Sequence, residues 1–255
     1  MKKLTCFFLV FSVFLIGCQE ENIQEPIDDS PVLDNNNGNG NVNNELYIQG
    51  EGVTDIDGNF YPSIIINGQE WTQKNLTVAR YNNGDSIQSG LSDADWEAAT
   101  TGAFSVYENN MINDSLYGKL YNWYCAVDSR GLCPIGWHLP NDLEWNQLIN
   151  FLDSTADGGS IYPNVAGGKM KSGLYWNPTN YGTSNLSGFT GFPGGKRFYL
   201  GNYTSEGFWG TWWSSDENIG SPNIANSRSL FNGYYAVLQE YNIKLNGLSV
   251  RCVKN

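Results

Sequence analysis

The apolar residues of this chain come in three kinds of block: one continuous run, one stretch at helical spacing, and several brief strand-like segments. The run is "MKKLTCFFLVFSVFLIGCQEE", almost wholly apolar from Cys6 to Ile16 behind Lys2 and Lys3. It is too short to cross a bilayer core of about 30 Å, which takes roughly 20 residues, and it has the layout of a secretory signal peptide over residues 1–17. The next stretch, "QEENIQEPIDDSPVLDNNNGNGNVNNE", has few large apolar residues. Ordering it cannot offset the chain entropy lost, so residues 18–45 are read as a flexible tether. Asp57-Gly58 and Asn67-Gly68 then bracket Ile64-Ile65-Ile66 as turn signals of a hairpin. Ser92 and Asp95 resemble a capping box for a short helix through Trp96. The clearest helix is "PNDLEWNQLINFLDS". Asn141 serves as N-cap with Glu144 three residues on, and Trp145, Leu148, Ile149 and Leu152 make one apolar face. Asp142 and Glu144 suit the positive end of that helix, which accounts for "DLE" without a catalytic carboxylate pair.

After Ala166 the pattern turns to short strands: "GGKRFYLG", "GFWGTWWSS", "NSRSLF" and "GLSVRCVKN". In the second, Phe208 adjoins Trp209 and Trp212 adjoins Trp213. Successive side chains of a strand face opposite ways, so one aromatic of each pair points away from the core unless both faces are covered. Trp209, Trp212 and Trp213 are therefore candidates for an aromatic binding surface, with burial on both sides as the alternative. Beside them "SSDEN" gathers Asp216, Glu217 and Asn218, whose oxygens suit a polar ligand or calcium, or simply a solvated acidic loop.

Charge and cysteine change this picture. Leu15-Ile16-Gly17-Cys18 looks like a bacterial lipobox, with cleavage before Cys18 and a diacylglycerol on its thiol. The "QEE" that follows resembles tags sending some Bacteroidota lipoproteins to the outer face of the outer membrane. The chain has 14 Lys and Arg, two of them Lys2 and Lys3, against 26 Asp and Glu. Such a negative surface disfavours nucleic acid and anionic membranes, leaving the lipid as the membrane contact. About 210 residues remain from Glu45 onward, consistent with one domain over 46–255. Abundant Trp, Tyr and Gly with few charges suit an irregular, loop-rich fold. "DIDGN" is read as a turn, since the EF-hand pattern needs its glycine two residues later. Cys125, Cys133 and Cys252 allow one disulfide with one thiol left over, and no Cys/His spacing points to a metal site. The single histidine, His138 in "CPIGWHLP", is read as a hydrogen-bonded structural residue, acid–base chemistry being the alternative.

The segments "DGNFYPSIIINGQEWTQKNL", "YGKLYNWYCAV", "CPIGWHLPNDLEWNQL", "GFPGGKR", "WWSSDEN" and "LSVRCVKN", in this order, strongly resemble the Fibrobacter succinogenes major paralogous domain, over roughly residues 53–254. The resemblance implies an exported, often lipid-anchored protein with an α+β, C-type-lectin-like fold of short antiparallel strands, few helices and long loops. It also implies pairing of Cys133 with Cys252, with Cys125 a buried free thiol or alternative partner. "HLPNDLEW" also resembles a segment of the formylglycine-generating enzyme group. That group uses a cysteine pair near its domain's end, where this chain has only Cys252. The "EPN", "QPD" and "WND" segments of calcium-dependent sugar binding in C-type lectins are absent.

These readings predict a lipid-anchored protein of the outer membrane, facing the exterior. Its non-catalytic lectin-like domain, without cofactor or metal, binds a glycan or a surface protein. Fold likeness alone does not establish activity. The alternatives are an extracellular enzyme acting on polysaccharide through a carboxylate pair, and a structural or adhesive surface component.

Overall fold

The computed structural model describes residues 45–156 and 164–255. The signal peptide, Cys18 and the tether up to residue 44 lie outside the described residues. The first strands are β1 (Ile48–Gln49), β2 (Val53–Thr54), β3 (Phe60–Tyr61), β4 (Ser63–Ile66) and β5 (Gln69–Thr72). Asn67 at φ 48° and Gly68 at φ 79° form the left-handed turn that joins β4 to β5, as the Asn-Gly pair predicts. "DIDGN" is likewise a turn. Asp55 Oδ1 accepts from the backbone N–H groups of Asp57 and Asn59, and Oδ2 from the Tyr61 hydroxyl.

The middle of the chain holds α1 (Asp93–Glu97), β6 (Phe104–Ser105), α2 (Met111–Tyr117), β7 (Leu120–Tyr121), α3 (Trp123–Ala126), β8 (Trp137–His138) and α4 (Asp142–Leu152). Asn141 and Glu144 cap α4 reciprocally, and Trp145, Leu148, Ile149 and Leu152 are its buried face. At α1 the Ser92 hydroxyl accepts from the Asp95 amide, and Trp96 is buried. The last part contains α5 (Ala166–Met170), β9 (Gly194–Arg197), β10 (Tyr203–Glu206), β11 (Trp209–Glu217), β12 (Ile224–Phe231), β13 (Val237–Ile243) and β14 (Val253–Lys254). The described residues are thus mostly β, with five short α-helices, within the expected α+β class. None of these helices is long and apolar enough to cross a membrane.

Two five-stranded sheets organise these elements, in the orders β1-β4-β5-β14-β8 and β10-β9-β11-β12-β13. The first is antiparallel throughout; the second departs only where Gly210 bridges Gly195 in parallel. Strands from both ends of the 43–255 unit therefore share one sheet.

The octapeptide "CPIGWHLP" is a corner strapped to the C-terminus. Cys133 is bonded to Cys252 across a sequence separation of 119. Trp137 N–H donates to the Pro134 carbonyl at 2.9 Å, and Gly136 supplies the positive φ that this turn needs. His138 bridges Asn255 through Nδ1 at 2.6 Å and Glu144 through Nε2 at 2.7 Å, joining the corner to the chain end and to the α4 cap. Cys125 is a buried free thiol, and burial pushes its pKa up to about 12.

Closing so long a loop removes about 5 kcal/mol of unfolded-state entropy in the chain-entropy model. Cys133→Ser is expected to cost about 2–5 kcal/mol, a fall in Tm of about 5–20 °C. Mass spectrometry after alkylation of the unreduced, denatured 43–255 unit should find one reactive thiol in the parent and two in the variant. The folded parent should stay unlabelled at pH 8.

Candidate functional site

Five of the six candidate ligand-binding residues lie in β11 and Asn218 directly follows it, and the structure divides them into three groups. Trp212 and Trp213 are fully buried, so they form no binding surface. The reason is that both faces of β11 are covered. Trp213 enters a cluster with Tyr121, Trp123 and the disulfide, while Trp212 enters one with Trp71, Trp145 and Phe189 on the opposite face. Each indole N–H has a buried acceptor, Asn75 Oδ1 at 2.7 Å for Trp212 and the Tyr121 carbonyl at 2.8 Å for Trp213.

Asp216 and Glu217 belong to the strand, not to a solvated loop, and the pairing of β11 with β12 shifts register between Trp213 and Glu217. Asp216 Oδ2 accepts from the Asp142 amide at 2.7 Å, an anion on the first turn of α4. Glu217 pairs with Lys244 at 3.1 Å, and Asn218 Oδ1 accepts from the Gly220 amide in the turn to β12. Asp142 in turn pairs with the buried Arg228 guanidinium at 3.1 Å and accepts from Asn226 at 2.6 Å. These carboxylates answer structural demands of α4, Arg228 and Lys244. Among the described residues no three His, Cys, Asp or Glu side chains are grouped to hold a metal.

Trp209, at the other end of β11, differs. It is half-buried and lies directly opposite Phe231 of β12, their rings stacked at 4.5 Å and 28°. Phe231 touches Tyr234 at 5.2 Å, and the neighbouring Tyr235 touches Tyr181 at 6.0 Å. Tyr181, Tyr234 and Tyr235 are exposed, as is Phe208. Together they make up an aromatic ridge carried on residues 181, 208–209 and 231–235. Gly182 makes room for it, since a Cβ there would stand 2.2 Å from the Tyr235 ring.

Lys171 holds this ridge from below. It is completely buried, and its ammonium donates to the carbonyls of Tyr181 at 2.7 Å, Tyr234 at 2.9 Å and Phe231 at 3.2 Å. Its three N–H donors thus meet three backbone acceptors from the segments that carry the aromatics. Among the described residues no carboxylate is paired with it, and burial pulls its pKa down to about 8. Asn232 adds a second tie, from its side-chain amide to the carbonyls of Asn177 and Pro178. Phe231, Tyr234 and Tyr235 flank Asn232-Gly233, a turn signal that sequence reading passed over. Nothing in the sequence around Lys171 signals its role.

Fold and ridge together define a β-rich domain closed at its termini, with an aromatic surface on its loops. Residues 64–254 match the Fibrobacter succinogenes major domain, and the chain belongs to that family. No curated protein and no solved structure matches the chain significantly.

Lys171→Met removes the ammonium donor from the carbonyls of Tyr181, Tyr234 and Phe231, the last of which keeps the Tyr234 amide at 3.3 Å. At about 1–3 kcal/mol each, partly offset by no longer burying a charge, the net cost should be about 2–4 kcal/mol. The pH dependence has a definite sign. Between the folded pKa near 8 and the unfolded value of about 10.4, the unfolded chain binds more protons, so the parent gains stability as pH rises. The variant lacks this gain, and its deficit should widen from pH 7 to pH 10. Urea denaturation at both pH values measures it, and a deficit that shrinks would contradict the assignment.

Proposed function

We propose that the chain is a lipid-anchored protein of the outer membrane, facing the cell exterior, whose non-catalytic C-type-lectin-like domain binds a glycan on the Trp209–Phe231–Tyr234 ridge. The observation that carries the reading is the half-exposed Trp209–Phe231 stack, fixed from below by a saturated buried lysine. Flat rings of this kind accept the C–H faces of sugars, while tyrosine hydroxyls at the rim take sugar hydroxyls. A ridge already fixed in position loses little entropy on binding. The formal net charge of −12 disfavours polyanionic partners.

The lectin-like reading draws support from the strands of both ends meeting in one sheet and from the disulfide that pins them. The lipid anchor and outer-membrane location rest on the Leu15–Cys18 motif and the acidic residues after it. A binding role is favoured over hydrolysis because Asp142, Glu144, Asp216 and Glu217 each have a structural partner.

Glycan arrays probed with the purified protein test this function. Trp209→Ala should weaken the captured glycan by about 1.5–3 kcal/mol, roughly ten- to hundredfold, with unchanged circular dichroism. Trp212→Ala and Trp213→Ala should instead destabilise the fold by about 3–5 kcal/mol. Release of reducing ends abolished by a single carboxylate substitution would replace binding with catalysis.

A further inference from the structure

The ridge is not the whole aromatic surface. Tyr175 has an exposed ring, set edge-on against Tyr117 at 6.0 Å and tilted against Phe192 at 5.6 Å. Its φ is +66°, a left-handed conformation that a bulky side chain rarely adopts and that glycine would take without strain. The next residue, Trp176, is buried with its indole N–H on the Gly191 carbonyl at 3.1 Å, so the strain is fixed by the anchor beside it. Such strain held by its surroundings is a mark of functional positions. Burial, and then the charge of the nearby Glu206 carboxylate, push the Tyr117 phenol pKa up.

One short segment connects this cluster to the ridge. Tyr175 and Tyr181 stand near its ends, and Thr179 between them also has positive φ, at +74°. The Asn177 amide donates to the Gly207 carbonyl at 2.8 Å, and the Tyr181 amide to the Asn232 carbonyl at 2.9 Å. Gly207 admits this contact because a Cβ there would meet the Asn177 side chain at 2.6 Å. Tyr175 and Trp209 are each two residues from the Asn177–Gly207 bond, so their backbones lie within about 20 Å of each other. Phe208, exposed, belongs to the same stretch.

We propose that the exposed Tyr175 ring, backed by Phe192 and the buried Tyr117, forms a second subsite, and that the ligand is an extended, uncharged polysaccharide chain spanning from it to the Trp209–Phe231–Tyr234 ridge. This inference rests on the glycan reading of the ridge. Two aromatic stations on one pinned segment suit a polymer of repeating rings better than a single sugar. Contacts made by one chain at both stations add as an intramolecular gain, so affinity grows with chain length. The acidic surface and the Glu206 carboxylate disfavour uronic or sulfated chains.

The test is calorimetric titration of the purified protein with soluble β-1,4-glucan, β-1,3-glucan, β-1,4-xylan and α-1,4-glucan oligomers, from disaccharide to hexasaccharide, and with alginate and heparin fragments. For at least one neutral series the parent should bind the hexasaccharide about tenfold or more tighter than the disaccharide. Tyr175→Gly removes the ring and relieves the backbone strain. It should keep the parent's Tm and disaccharide affinity while losing the length gain; a residue with only a packing role would lower Tm and leave the gain intact. Trp209→Ala should weaken both lengths. A length-independent affinity, or a gain that survives Tyr175→Gly, overturns the second subsite and leaves the ridge standing. Preference for alginate or heparin overturns the uncharged ligand. Binding of no neutral or acidic glycan overturns the ridge reading and this inference with it.

Discussion

The segment from Gly247 to Lys254 is the constraint on which the rest of this structure hangs. Gly247 exchanges backbone hydrogen bonds with Arg197, Leu248 with Tyr121, and Ser249 bonds Thr211 and Trp213 of β11. The Val250 carbonyl accepts from Leu76, Cys252 is bonded to Cys133, and Val253 pairs both with Trp71 and with His138. Arg251, fully buried, donates to Asn75 Oδ1 at 2.6 Å and to the carbonyls of Thr72 at 2.7 Å and Thr190 at 3.1 Å. Asn75 Oδ1 accepts from Trp212 as well. One extended segment therefore touches both sheets, both apolar clusters and the disulfide. Its neighbours are far away in sequence, so its order arises only when the whole domain has closed.

That closure explains where an aromatic surface can lie. β11 runs between the two clusters, and any large side chain in its middle meets protein on either face, as Trp212 and Trp213 do. Only at its start, beyond the cover of α4 and of the 247–254 segment, does an aromatic pair reach solvent. The same logic governs buried cations. Arg228 is neutralised by Asp142, whereas among the described residues Arg251 donates to amide and carbonyl oxygens and lies over the Phe189 ring, and Lys171 donates to carbonyls and lies over the Trp176 ring. Cations of the last two kinds bear a desolvation cost in exchange for fixing several loops at once, and bonds to a charged donor are the stronger sort. In a chain rich in glycine and poor in regular structure, such ties substitute for the ladders of long helices and strands.

What could be read from the sequence was what physical chemistry confines to a few neighbouring residues. The Asn67-Gly68 turn, the Asn141–Glu144 capping box and the apolar face of α4 each depend on residues within one or two turns of chain. The Cys133–Cys252 pair followed from family resemblance, since three thiols alone permit other pairings. The paired tryptophans were ambiguous because alternation fixes which way side chains point and not what covers them. "SSDEN" looked like a free acidic loop because its partners, Asp142 and Lys244, come from other parts of the chain. Lys171 was invisible for a stronger reason: its acceptors are backbone carbonyls, which every residue has, located 10, 60 and 63 positions away. Tyr175 carries no signal of its positive φ in the sequence around it.

The division between spine and ridge also has a consequence for how such a domain can change. The residues that close the fold are buried, bonded on several sides and intolerant of substitution. The ridge is built on the segments near residues 174–182, 207–209 and 231–235, and the spine reaches them only through β11 and its neighbours. Their backbones are held by Lys171 and Asn232, which ask for carbonyl oxygens and not for particular side chains. Tyr175, Tyr181, Phe208, Tyr234 and Tyr235 could each be replaced without removing an acceptor from either tie. A scaffold that fixes loop backbones through main-chain atoms leaves the exposed side chains free to set ligand preference, in the way that binding residues elsewhere sit on loops carried by a rigid frame. In this protein the rigidity comes from a buried ammonium and a side-chain amide, and the variable part is the aromatic surface above them.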